Sequence, residues 1–198
     1  MSHTPDTPED AHLREHRLSS QQVFHGLLLD VRLDTVRLPS GDTATREYIV
    51  HPGAVMVVPM LDDGRLIVER QYRYPVGHVM LEFPAGKREP AESMLACAVR
   101  ELAEETGYRA AEWARAGVLH NAVAYSTEGI DIWFARGLAL GDRVLDHGEF
   151  IDVSAATLDE LLALAQSGQL TDAKTLIGLL WLQNWRNGHW DLAWHAAP

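Results

Sequence analysis

The sequence has a single cysteine, Cys97, among 198 residues. No internal disulfide is available to it, and a reducing compartment suits the chain. No apolar run approaches the roughly 18 residues of a membrane helix. The first residues, MSHTPDTPEDAHLREH, lack the apolar core of a signal peptide. A cytoplasmic protein that does not engage membranes is the expectation. Positive charge is also scarce: 17 Lys and Arg stand against 28 Asp and Glu, a formal net charge of −11. That balance argues against general binding to nucleic acid, because phosphate attraction needs a basic surface. It still admits a small phosphorylated ligand whose charge a metal offsets locally. The ten histidines show no zinc-like spacing, and neither internal repeats nor low-complexity tracts are present.

What is there suits one domain with a small appendage, and a hydrophobic content of 46% is ample for a core. Residues 1–20 are polar, carry Pro5 and Pro8, and read as a disordered tail. Residues 21–50 read as an antiparallel β subdomain, with a hairpin-type turn at Pro39–Asp42. A larger domain over 51–190 follows. Its expected strands are Ala54–Leu61, Arg65–Arg73, Val79–Phe83 and Asp131–Leu140. Its expected helices are one ending at Gly107, then Leu158–Gly168 and Thr171–Trp185, the last opened by a Thr-Asp cap signal. Strands, a central helix, more strands and terminal helices give an α/β or α+β sandwich.

The central helix has an unusual charge pattern. At about 100° per residue, Leu95, Val99, Leu102 and Thr106 share a face that should pack on the sheet. Glu101, Glu104 and Glu105 crowd the other side of the last turn before Gly107. Glu101 and Glu105 are a like-charge i,i+4 pair, unfavourable by a few tenths of a kcal/mol. The negative end of the helix dipole adds about 0.3–1 kcal/mol for each exposed acid. Arg100 relieves Glu104, but one arginine does not balance three acids. A divalent cation would: Mg²⁺ takes one or two carboxylates directly and shares itself with substrate phosphates.

The surroundings sharpen that reading. Gly86 is followed after five residues by Glu92, after seven more by Arg100-Glu101-Leu102, and then by Glu104-Glu105 and Gly107. This pattern resembles the box of the Nudix hydrolases at every polar and glycine position, with Tyr108 where an aliphatic residue is more usual. REYIVHPGAVMVVPM, VERQYRYP, LEFPAGK and TDAKTLIGLLWL resemble the ADP-ribose pyrophosphatase branch of that family, so the resemblance spans roughly residues 23–187.

The resemblance implies a Nudix α/β/α sandwich with a mixed sheet, the N-terminal antiparallel subdomain serving dimerisation. It implies a homodimer whose N-terminal strands help to build the partner's site. It also implies hydrolysis of ADP-ribose to AMP and ribose 5-phosphate with Mg²⁺, Mn²⁺ being the alternative. The rivals are pyrophosphatases for GDP-mannose or another nucleotide sugar, and a non-catalytic ADP-ribose sensor. Glu101 and Glu105 are then the principal metal ligands, with Glu104 and the Ala85 carbonyl as further ones. Arg100 orients a glutamate. Arg73, with Arg70, meets the substrate's phosphates or ribose, and Glu82 holds a substrate hydroxyl or a metal-bound water. Tyr72 or Tyr74 is a candidate for stacking on adenine. Glu149 on the loop Asp142–Val153 is the first candidate for the general base, with His147 or a helix glutamate as alternatives. Glu92 has either a structural or a site role. Gly86 and Gly107 are expected as backbone devices, a loop needing positive φ and a helix cap. The loop His120–Gly129 lacks the proline common in ADP-ribose enzymes but keeps Ser126 and Glu128. Cys97 is expected to be a partly buried filler.

Overall fold

A computed structural model describes residues 8–145 and 147–197. The chain forms two compact units: residues through His51 with Ala122–Glu128, and Pro52–Asn121 with Gly129 onward.

In the first unit a 3-10 turn, Pro8–Leu13, precedes β1 (His16–His25), β2 (Asp30–Arg37) and β3 (Thr43–Ile49). The three strands form an antiparallel sheet in chain order. The tail expectation is therefore corrected: residues 16–20 are strand, and residues 1–7 lie outside the described residues. The two prolines and the polar residues of that region hid a strand whose every position is exposed, so it carries no inward apolar alternation to detect. The Pro39–Asp42 turn closes with the Leu38 amide donating to the Asp42 carbonyl at 2.8 Å. Residues 122–128 join this unit through its last strand. The Ile49 amide donates to the Tyr125 carbonyl at 2.8 Å, and the Thr127 amide to the Ile49 carbonyl at 3.0 Å.

The second unit is built on a five-stranded mixed sheet. Its members are β4 (Ala54–Pro59), β7 (Ala85–Lys87), β8 (Tyr108–Leu119), β9 (Ile130–Leu140) and β11 (Trp194–Ala196). Their order is β11-β8-β9-β4-β7, with β4 and β9 parallel. A second, antiparallel sheet has the order β10-β5-β6, from β5 (Leu66–Arg73), β6 (His78–Glu82) and β10 (Ile151–Ala156). Strand β4 is apolar on both faces and divides two cores. Val55 and Val57 face α1 (Met94–Thr106) together with Cys97, Ala98, Leu102 and Trp113. Met56 and Val58 face the other way, toward Phe83 and the apolar residues of α2 (Leu158–Gln166) and α3 (Ala173–Arg186). The α/β/α arrangement follows from that two-sided burial.

Helix α1 is tightly bounded. Ser93 caps its start, accepting from the Ala96 amide at 3.1 Å. Gly107 ends it at φ 78°, and its amide donates to the Ala103 carbonyl. Only glycine takes that left-handed cap freely. Leu102 and Thr106 are buried and Leu95 and Val99 pack against the same core, so the face read from the sequence is the face that docks. Strands β8, β10 and β11 were not anticipated. In β8 the apolar residues Ala110, Trp113 and Ala114 are unevenly spaced among arginines and glutamates, which blurs the alternation.

Cys97 is fully buried rather than partly so, and burial pushes its thiol up to about 12. A thiolate is the reactive form. The folded protein should therefore resist alkylation by iodoacetamide at neutral pH and take up one equivalent after denaturation, as read by intact-mass spectrometry.

Candidate active site

The acids of α1 do not point into solvent. Glu101 is 9% exposed and Glu105 is 4% exposed. Both are buried where α1 lies against β7, and Gly86 leaves room for the Glu101 carboxylate. A Cβ at Gly86 would stand 1.9 Å from the Glu101 carboxyl carbon. Gly86 is not in the left-handed region, so the expectation of positive φ is corrected: a side chain here would displace the Glu101 carboxylate. One residue earlier, the Ala85 amide donates to Glu105 Oε2 at 2.9 Å.

Arg100 organises the polar side of the helix. Its guanidinium donates to both oxygens of Glu92 at 3.0 Å, to Glu101 at 2.8 Å and to Glu104 at 2.9 Å. It also reaches the Lys87 carbonyl at 3.2 Å. Glu92 in turn accepts from the Glu89 amide at 3.1 Å. Glu92 thus holds Arg100, and Arg100 holds two helix acids. The Arg100 hydrogen bonds keep the Glu92 carboxyl down at about 2, and the Glu92 hydrogen bonds in turn raise the guanidinium further. Glu101 behaves oppositely: burial outweighs Arg100 and pushes it up to about 7. Glu105 is raised by burial first, then by repulsion from Glu69 and Glu101.

A second polar wall comes from β5 and β6. Glu69, Gln71 and Arg73 alternate with the exposed Arg70 and Tyr72, and so share the inner side of β5. Arg73 grips the buried Glu82 with two bonds, at 2.8 and 2.9 Å. Lys174, at the start of α3, grips the same carboxylate and also Asp172 at 3.1 Å. Burial opposes ionisation of Glu82, but Arg73 and Lys174 prevail and hold its carboxyl below the ordinary value. Asp172 caps α3 through the Thr175 amide at 2.9 Å, and the Thr175 hydroxyl accepts from the Phe83 amide at 2.9 Å. Residues 83–85 are thereby fixed from both sides, by α3 and by Glu105.

The candidates from the sequence fall into two groups. Glu101, Glu104, Glu105, Arg100 and Ala85 meet at the α1–β7 contact, and Arg73 and Glu82 meet on β5 and β6. Arg70 is exposed on the opposite side of β5 from Arg73. It lines a cavity of about 420 Å³ with Tyr72, Glu149 and Asp152. Glu149 is close enough to the acids to raise Glu69, Glu101 and Glu105. His147 and Tyr74 are exposed and do not line that cavity. Asp146, in the same loop, lies outside the described residues. Ser126 and Glu128 belong to the first unit, where Glu128 faces His51 at 3.6 Å. Glu69, Lys174 and Thr175 were not singled out from sequence. The alternation of Glu69, Gln71 and Arg73 along a buried strand was the available signal.

These residues suit a divalent cation. Among the described residues no three His, Cys, Asp or Glu side chains already form a metal cage. The charge is nevertheless unbalanced: Arg100 is spent on Glu92, Glu101 and Glu104, and Arg73 and Lys174 on Glu82. Glu105 receives one backbone amide, and Glu69 has no hydrogen-bond partner. Buried hard oxygen donors in excess of cations are what Mg²⁺ or Mn²⁺ binds.

The Glu92–Arg100 pair makes a pH-dependent contribution to stability. The folded value of Glu92 is depressed from 4.5 to about 2, so the contribution is full above 4.5 and is lost as pH falls toward 2. Replacing Glu92 with Gln should lower unfolding stability by about 1.5–3 kcal/mol at neutral pH. The gap from wild type should shrink on acidification, as measured by urea denaturation across pH.

Comparison with known proteins places this geometry. Residues 50–177 match the NUDIX domain, and residues 15–49 match the nucleoside diphosphate sugar hydrolase N-terminal domain. An ADP-ribose pyrophosphatase of Bacillus subtilis is 35% identical over 86% of this chain and 94% of its own. An ADP-ribose pyrophosphatase of Mycobacterium tuberculosis is 32% identical over 82% of this chain and 80% of its own. A methanol dehydrogenase activator of Bacillus methanolicus is 34% identical over 85% and 92%. The solved structure of an ADP compounds hydrolase superposes with a TM-score of 0.80 at 26% identity, covering 89% of this chain and 96% of that one. The domain match covers most of the chain and contains every acid of α1, and on that ground the chain belongs to the Nudix hydrolase family.

Proposed function

We propose that this protein, a Nudix nucleoside-diphosphate-sugar hydrolase, cleaves ADP-ribose and water to AMP and ribose 5-phosphate with Mg²⁺ as cofactor. The observation that carries the reading is the excess of buried carboxylate on α1 beside Arg73. The names of the similar ADP-ribose pyrophosphatases support the substrate.

A divalent cation held by Glu101, Glu105, Glu104 and the Ala85 carbonyl would neutralise diphosphate charge and acidify an attacking water. Arg100 keeps Glu101 and Glu104 in place through fixed hydrogen bonds. Arg73 presents its guanidinium to a phosphate while Glu82 and Lys174 fix its direction. Glu149 accepts the proton of the water as it adds to phosphorus, and the departing phosphate oxygen is protonated from solvent. Tyr72, exposed beside Arg70 and Glu149, offers a ring for the base.

A panel of ADP-ribose, GDP-mannose and other nucleotide sugars, with Mg²⁺ or Mn²⁺ and products separated, tests this. AMP and ribose 5-phosphate should dominate. Glu105→Gln should lower kcat by roughly two orders of magnitude or more. Faster cleavage of another nucleotide sugar would overturn the substrate assignment, and unchanged turnover in Glu105→Gln would overturn the metal centre.

The reading includes a homodimer formed through the N-terminal strands, in the cytoplasm. Support for the dimer lies in β1, which is exposed throughout and displays Leu18, Val23 and Phe24, followed by the exposed Leu27 and Leu28. An apolar set of that kind on an edge strand marks an association surface. Support for the compartment is the single buried thiol, and among the described residues no helix is long and apolar enough to cross a membrane. Light scattering coupled to gel filtration should return twice the chain mass, and a monomer at micromolar concentration would overturn the dimer.

A further inference from the structure

One buried acid has no task in the chemistry above. Glu69 is 0% exposed, and neither of its carboxylate oxygens has a hydrogen-bond partner. Strand register sets it directly opposite Glu82. The two cations nearby do not satisfy it, because Arg73 and Lys174 both donate to Glu82. Its remaining charged neighbours are Glu82, Glu105 and Glu149, which all repel it. Gln71, two residues along the same side of β5, also has a buried side-chain oxygen without a partner.

A buried carboxylate without a donor is strongly unfavourable, and a neutral residue of the same shape would serve packing better. Of the two orphaned acceptors on this strand face, Glu69 is charged and is repelled by Glu105 of the acidic helix, so it lacks a counter-charge. Water alone leaves the repulsion between Glu69 and Glu105 in place. A divalent cation removes it.

We propose that Glu69 is a further carboxylate of the cation centre, facing Glu105 from β5 and completing a site otherwise lined by α1 and β7. The inference rests on the metal-centre reading above. Glu69 is a positioning residue: it acts through Glu105 and the cation, while Arg73, on the same side of the strand, addresses the phosphate. Strand β5 thereby carries one residue for the metal and one for the substrate, four positions apart in the chain.

Mn²⁺ binding followed by electron paramagnetic resonance tests this without reference to turnover. Wild type, Glu69→Gln and Glu69→Asp are compared, alongside urea denaturation in the absence of metal. Glu69→Gln should bind Mn²⁺ about 10-fold more weakly or worse, while its metal-free fold is at least as stable as wild type. Glu69→Asp, which keeps the charge but withdraws it, should also bind more weakly and serves if the Gln variant does not fold. Wild-type Mn²⁺ affinity in either folded variant overturns the proposal, as does a Gln variant that is destabilised yet binds normally. If wild type itself fails to bind Mn²⁺, the metal-centre reading falls and takes this inference with it.

Discussion

The site depends on Arg100. It is one guanidinium shared among three carboxylates, and it is the reason that an acidic helix can lie against a strand instead of facing solvent. Glu92 grips it with both oxygens from just before the helix, leaving its other donors to Glu101 and Glu104. Planar bidentate pairing holds such an array where a lysine's single ammonium would not. The arrangement also sets a limit. Arg100 supplies one positive charge to an assembly holding more negative ones, and the surplus is concentrated on Glu105 and Glu69, the acids it does not touch.

The rest of the fold brings walls to that helix. Strand β4 is apolar on both faces, so it fixes α1 on one side and α2 with α3 on the other. Gly86 lets the Glu101 carboxyl lie against β7, and Ala85 ties Glu105 to the same strand. The inner side of β5 then supplies Glu69 and Arg73. Each contact is local, yet together they put groups from four elements around one volume.

Much of this was legible in the sequence. The spacing from Gly86 to Gly107 gave the helix, its cap and its acids, because each position follows from helical period and cap chemistry. The packing face of α1 was read from Leu95, Val99 and Leu102. Three kinds of feature were not legible. The first half of strand β1, residues 16–20, has no inward face of its own, so no alternation marked it. The need for glycine at position 86 comes from a side chain fifteen residues away, and only a fold reveals such a neighbour. Glu69 sits in LIVERQYR, where its alternation with Gln71 and Arg73 puts the three on one side, but the acids it meets, Glu82 and Glu105, are distant in the chain. Lys174 escaped for the same reason: its partner is 92 residues distant.

That last distance governs the order in which the site is completed during synthesis. The whole α1 motif leaves the ribosome long before α3. Until Lys174 and Thr175 follow, Glu82 has Arg73 alone as counter-charge, and the Phe83 amide has no side-chain acceptor. The strand segment that carries Ala85 toward Glu105 is then held from one side only. A nascent chain stopped before residue 174 therefore contains every acid of the motif without the Lys174 and Thr175 contacts that brace Glu82 and Phe83.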